Sequence, residues 1–144
     1  MSQLYQQRLA KLKRELSIEV TKRKKKKKKF TPNQQIMIDF INNVTKNATF
    51  YIKDMKIILR KGHSGAGFQH ILEKHYCNEC PGKITLSDIL NMDLIIQRGL
   101  KLNSVGVTNP DNIVINYKNR DKEHNIILKS EKENELVVSF YSIN

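Results

Sequence analysis

Three of the chain's four histidines, His63, His70 and His75, lie within a stretch of thirteen residues. Histidine can both accept and donate a proton near neutral pH, which is what general acid–base catalysis requires. His63 belongs to a glycine-rich loop, and a helix carrying the other two comes directly after it. On a helical wheel His75 falls in an apolar stripe, so we expect it to face the sheet. His70 and Lys74 share the other side, so we expect His70 to face solvent or the loop that holds His63.

A single histidine on an apolar helix face is more often a core residue than a catalyst. The clustering of three histidines beside a glycine-rich loop is what favours proton transfer in this segment. The spacing leaves open which of His70 and His75 would act as the base or the acid.

The order of the elements expected to position these residues predicts an α+β fold, with N-terminal helices packed on one face of a C-terminal antiparallel sheet. Thr31 and Pro32 are typical of a helix start, and this helix is expected to end near Asn47. The other expected elements are a strand or strand pair at 50–60, helices at 68–76 and 86–98 with Gly99 as the stop of the second, and strands at 113–118, 124–130 and 135–142.

The last three strands show period-two alternation, which sorts their residues into an apolar core face and a polar far face. The far face would carry cations, amides, a hydroxyl and one aromatic ring: Asn116, Lys118, Asn125, Lys129, Ser139 and Tyr141. Such a surface could hold a phosphate and stack a base. The alternative is the ordinary solvated face of an antiparallel sheet.

Two segments resemble a known family. The run Gly67–His75, GFQHILEKH, and the last strand, with LVVSFY at 136–141, resemble the barnase–EndoU–colicin–RelE-like nucleases, in particular their phage- and mobile-element-associated branch. The resemblance covers roughly residues 50–144. It implies a ribonuclease, often a toxin that cuts tRNA or other RNA, which works without a metal or other cofactor. RNA and an immunity protein or antitoxin would be its partners, and no membrane would be involved.

Carried over residue by residue, the resemblance implies that His70, Lys74, His75, Ser139 and Tyr141 are catalytic. Four further residues are expected to bind substrate. Lys118, Arg120 and Lys129 are added from the analysis of the sheet faces, and His63 is added from the glycine-rich loop. In the implied reaction a base removes the proton of a ribose 2′-hydroxyl, which then attacks the adjacent phosphorus. An acid protonates the leaving 5′-oxygen, and cations stabilise the phosphoryl charge.

The positive charge of the chain is concentrated near its N-terminus. The formal net charge is +12, and residues 1–29 hold twelve Lys and Arg against only Glu15 and Glu19. We therefore expect two units, a basic N-terminal helix and poly-lysine arm at 1–29 and a nuclease domain at 30–144. The tract 22–29 should remain extended and bind polyanions without regard to sequence, through residues such as Lys24, Lys25, Lys26 and Lys27. A solubility tail or localisation signal is the alternative.

Two cysteines, Cys77 and Cys80, form a lone C-x-x-C pair. The start of the chain does not resemble a secretion signal, so reduced thiols in the cytoplasm, of the producing cell or of a target cell, are expected. Three functions stay open. They are an endoribonuclease, a non-catalytic nucleic-acid-binding protein that uses the basic arm, and a zinc-binding adaptor that uses the cysteines and nearby histidines.

Overall fold

A computed structural model describes the backbone of residues 2–52, 55–63, 67–77, 79–80, 83–102, 106–109, 112–119, 122–132 and 135–143. Within these ranges side chains are described up to residue 98 and at Val138. The helices are α1 Gln3–Lys26, α2 Pro32–Ile41, α3 Gly67–His75, α4 Leu86–Leu90 and α5 Met92–Leu102. The strands are β1 Asn47–Ile52, β2 Met55–Arg60, β3 Gly106–Asn109, β4 Asn112–Asn119, β5 Lys122–Lys132 and β6 Glu135–Ile143. These elements confirm the predicted α+β class.

The described strands form one sheet in the order β1-β2-β6-β5-β4-β3. The three strands predicted at the C-terminal end are present as the antiparallel run β4-β5-β6. The predicted strand pair at 50–60 is the hairpin β1-β2, and it joins the sheet through parallel pairing of β2 with β6. Leu59 of β2 lies opposite Val138 of β6, and both side chains are buried.

Two helix starts follow from the capping chemistry of the sequence. Thr31 accepts a hydrogen bond from the backbone of Gln34, whose side chain accepts one in return from the backbone N–H of Thr31. Thr85 and Asp88 form the same reciprocal arrangement at the start of α4. Both pairs satisfy backbone N–H groups that have no partner inside the helix.

The helix ends depart from the prediction. Helix α2 stops at Ile41 rather than near Asn47, because Asn43 adopts a left-handed conformation with φ 62°. The single helix predicted at 86–98 is divided at Asn91 into α4 and α5. Gly99, which was expected to end that helix, lies inside α5.

Helix α1 packs against the body of the protein. Its buried residues Tyr5, Leu12 and Leu16 recur at helical spacing and belong to the same hydrophobic core as α2, α3 and the hairpin. The Tyr5 ring meets the Phe68 ring of α3 edge to face, with 6.4 Å between the ring centroids. Helix α3 is in turn covered by α1 on one side and by β6 and β2 on another. The division of the chain into two units at residue 29 stays a prediction, but α1 shares its core with elements beyond that residue.

None of the described helices is long and apolar enough to cross a membrane.

Candidate functional site

The start of α3, which carries the candidate catalytic residues, is fixed by Gly67. This residue has φ +82°, and a Cβ added to it would lie 2.8 Å from the backbone oxygen of Arg60. The backbone N–H of Gln69 donates to the carbonyl of Lys61 over 2.8 Å. The first turn of α3 is therefore tied to the end of β2, with backbone so close that only glycine fits.

His70 and His75 lie side by side at the centre of the candidate site. Their ring centroids are 5.3 Å apart at an interplanar angle of 68°, and each residue is 8% exposed. The Nε2 atoms of both rings are shielded from solvent. The burial of His75 agrees with its predicted position in the apolar stripe. For His70, of the two orientations predicted, the one toward solvent is wrong, because its side chain is buried.

Helix α3 is covered on two sides, which a helical wheel does not take into account. Residues five apart on an α-helix lie about 140° apart around its axis. The predicted orientations of His70 and His75 apply to a helix that packs on one sheet. Such a helix would bury only one of the two rings. Helix α3 packs against α1 as well as against β6 and β2, so a wider arc of α3 is covered than on a helix that packs on a single sheet.

The remaining candidates on this segment lie at the surface. Lys74, next to His75 in sequence, is exposed, and so is His63 of the preceding loop. The structure thus brings the two predicted histidines of α3 together beneath the surface and keeps the predicted lysine in contact with water.

Several predicted site residues lie outside the residues whose side chains are described. They are Ser139, Tyr141, Lys118 and Lys129, which lie on β6, β4 and β5, and Arg120, whose backbone is also outside the described ranges. Strand β6 packs against α3, so the two segments that carry the family resemblance are neighbours in the fold. Ser139 falls at a register shift, since Ile127 pairs with Phe140 while Leu128 pairs with Val138. Such a bulge interrupts the period-two alternation used to sort the faces of this strand.

The basic tract is not extended as predicted, because α1 continues through it to Lys26. Lys27 then adopts a left-handed conformation with φ 54°, and the backbone N–H of Lys28 donates to the carbonyl of Arg23 over 2.9 Å. Hydrogen bonds of this kind satisfy the last carbonyls of a helix and reverse the chain. The tract is therefore a helix end followed by a turn.

An open hollow of about 590 Å³ lies beside this turn, and we call it the basic hollow. It is lined by Lys22, Lys26, Lys28 and Lys29, together with Arg23 and Glu19. Glu19 pairs with Arg23 at 3.0 Å, so one acidic residue is set against five cationic ones. Of the four lysines named for this tract, Lys24 to Lys27, only Lys26 lines the basic hollow. Lys22, Lys28 and Lys29 belong to the same predicted tract, but the sequence gives no sign that the chain reverses after Lys26 and groups them in one hollow.

The contact between α1 and the end of α3 also has no signal in the sequence. Arg8 Nη1 donates to the carbonyl oxygens of Leu72 and Glu73 over 3.0 and 2.6 Å, and it lies 3.5 Å from Cys80 Sγ. Cys80 forms a disulfide with Cys77, so the expectation of reduced thiols is wrong for this structure. Among the described residues no three His, Cys, Asp or Glu side chains are grouped so as to hold a metal ion.

No family model, curated protein or solved structure matches this chain. The resemblance to the barnase–EndoU–colicin–RelE-like nucleases, with the activity and roles that it implies, therefore stays a prediction. What the structure adds is two adjacent imidazoles on α3 and a basic hollow at the end of α1.

Proposed function

We propose that this protein is an RNA endonuclease that cleaves by attack of the ribose 2′-hydroxyl on the adjacent phosphorus. The observation that carries the proposal is the pairing of His70 and His75, whose ring centroids are 5.3 Å apart on α3. Imidazoles are the side chains best suited to move protons in both directions near neutral pH. The family resemblance of the same helix supports this chemistry.

The proposed reaction is balanced by two proton transfers. A base accepts the proton of the 2′-hydroxyl, whose oxygen forms a bond to phosphorus as the bond to the 5′-oxygen breaks. An acid gives a proton to the departing 5′-oxygen, and the products are a 2′,3′-cyclic phosphate and a 5′-hydroxyl. Proton transfer by a positioned side chain contributes about 10²–10⁴-fold to such a reaction.

The short distance between the two rings limits which proton transfers can be assigned to His70 and His75. Rings in edge-to-face contact leave no room for a phosphate between them. We therefore assign one imidazole to accepting the proton of the 2′-hydroxyl and the other to holding the orientation of the first, with the exposed Lys74 as the cation beside the phosphate. A water molecule supplies the proton that the departing 5′-oxygen takes up. Because the Nε2 atoms are shielded, the proposal requires that bound RNA uncovers a ring nitrogen.

Digestion of total RNA in the presence of EDTA, followed by analysis of the new ends, tests the proposal. We expect 2′,3′-cyclic phosphate ends, and a loss of about 10²–10⁴-fold in rate for His70→Gln or His75→Gln. The matched control is His124→Gln, which changes the one histidine outside residues 63–75. Circular dichroism of each variant separates lost catalysis from lost folding. Absence of cleavage, or equal cleavage by all three folded variants, would refute the proposal.

A second candidate function is nucleic-acid binding without catalysis. The observation that favours it is that the lysines of the basic hollow are exposed whereas both Nε2 atoms of the histidine pair are buried. In this case substitutions in the basic hollow would abolish RNA binding, and the two histidine variants would bind as the parent does. Only the nuclease predicts 2′,3′-cyclic phosphate ends that the two histidine variants fail to produce, so the RNA digestion separates the two functions.

A further inference from the structure

Two hollows adjoin at the C-terminal end of α1 and share Arg23 and Lys28 in their walls. One is the basic hollow. The other, which we call the apolar hollow, has a volume of about 400 Å³ and is lined by Val20, Phe30 and Ile38, with Lys24, Gln35 and Asn42 beside them. A cationic pocket is thus placed directly next to an aromatic and aliphatic one.

Arg23 holds the wall between the two hollows in place. Its Nε lies 3.0 Å from Glu19 Oε1, and its Nη1 donates to the carbonyl of Lys29 over 3.4 Å. Its guanidinium carbon lies 4.2 Å from the centroid of the Phe30 ring. These contacts fix the turn after α1, so the backbone that carries Lys28 and Lys29 and the Phe30 ring are in place before any ligand arrives.

We propose that these hollows bind one nucleotide unit of single-stranded RNA, with phosphate in the basic hollow and the base in the apolar hollow. Lysine ammonium groups neutralise phosphate oxygens, and aromatic rings or arginine planes stack on unpaired bases. A base in a duplex is already stacked and cannot enter a pocket beside its own phosphate. The juxtaposition of the two hollows therefore selects a single strand, whereas a plain lysine tract would bind any polyanion.

The inference deepens the proposed function, since it assigns the place where RNA is held. It rests on RNA being the ligand and does not require that the histidine pair cleaves it. Binding is measured with 2′-O-methyl RNA, which lacks the nucleophile and stays intact. Cleavage without this binding preference would refute only the inference, and the preference without cleavage would refute only the nuclease.

The test is fluorescence anisotropy of the full chain with a labelled 2′-O-methyl oligonucleotide, alone and annealed to its complement. We expect the single strand to bind more tightly. Lys26→Gln with Lys29→Gln should weaken binding about tenfold and reduce the salt slope by about 1.4, the value for two lost phosphate contacts on a single strand. The matched control, Lys25→Gln with Lys27→Gln, removes the same charge from the same tract, but neither residue lines the basic hollow.

The base position is tested with Phe30→Leu, which should weaken binding of the single strand by about fivefold or more. Phe30→Tyr keeps an aromatic ring and should restore the affinity, and thermal melting checks that both variants fold. Equal affinity for duplex and single strand, or equal loss in the two lysine variants, would overturn the inference. Either result would show a surface that responds only to total charge.

Discussion

At the scale of single residues, Tyr76 and Glu15 connect the segment after α3 to α1. The Tyr76 hydroxyl donates to Glu15 Oε1, and the Tyr76 residue is 3% exposed. Burial raises the pKa of Tyr76 above its usual 10.0, and the hydrogen bond and the negative charge of Glu15 raise this pKa further. The folded protein therefore favours the protonated phenol.

This shift predicts how stability depends on pH. Because the folded-state pKa lies above the unfolded one, the contribution of Tyr76 is complete below pH 10.0 and is lost as the pH rises beyond it. Tyr76→Phe should cost about 1 kcal/mol of unfolding free energy at neutral pH. Above pH 10 this difference should shrink by up to about 1.4 kcal/mol per pH unit.

Urea unfolding of the parent and of Tyr76→Phe, from neutral pH to above pH 10, measures the difference in unfolding free energy. The contributions of titratable groups that both proteins share cancel in this difference. A difference that stayed constant with pH would contradict the assignment of the raised pKa to the Tyr76 phenol. A difference that grew with pH would require a phenol that ionises more readily in the folded state than in the unfolded one.

At the scale of elements, α1 stabilises the face of α3 that lies away from the sheet. Leu12 is fully buried in the shared core, whereas Ile18, six residues further along α1, is 57% exposed. Leu12→Ala should lower the unfolding free energy by about 2–5 kcal/mol because it leaves a cavity. Ile18→Ala should change it by less than about 0.5 kcal/mol. Chemical denaturation followed by circular dichroism gives both values, and similar costs at the two positions would show that α1 does not pack as described.

Local chemistry allowed some elements to be predicted from the sequence. Thr31 and Pro32 predict a helix start, and α2 begins there because the side-chain oxygen of Thr31 accepts a hydrogen bond from the backbone N–H of Gln34. The strands β4, β5 and β6 follow from their alternation and from the polar turns between them. These signals depend on neighbours in sequence, and the structure confirms them.

Features that depend on distant packing could not be predicted in this way. His70 is buried on a helix that packs against both α1 and β6, and the basic hollow requires Lys28 and Lys29 to turn back over the end of α1. The parallel pairing of β2 with β6 joins segments nearly eighty residues apart, as in Leu59 opposite Val138. No periodicity in either segment specifies such a partner. The sequence therefore predicts a cluster of histidines but not the contact between the rings of His70 and His75.

At the scale of the whole molecule, charge and core overlap in the same helix. Residues 1–29 carry twelve of the 26 cationic residues, yet α1 also buries Tyr5, Leu12 and Leu16. Its outer end carries the basic hollow, and its inner face stabilises the helix with the histidine pair. Binding and folding are therefore both expected to depend on this segment, but through different residues.

The separation of these two roles gives a prediction for truncation. Deletion of residues 1–29 should lower the unfolding free energy by about 5 kcal/mol or more, since three buried apolar side chains are lost together with the Arg8 contacts to α3. Many domains have little more stability than this, so the cooperative thermal transition should disappear. Replacing Lys24–Lys29 with glutamine removes six charges and leaves the buried face of α1 intact.

That charge variant should therefore melt within a few degrees of the parent, roughly the effect of surface substitutions, while its RNA affinity falls steeply. Thermal melting and anisotropy on the two proteins measure folding and binding separately. If the truncated protein melted like the parent and lost only RNA binding, residues 1–29 would be an independent arm, as the charge distribution predicts. If instead it loses its folded state while the charge variant keeps it, α1 belongs to the domain, and Lys24–Lys29 contribute to RNA binding without being needed for folding.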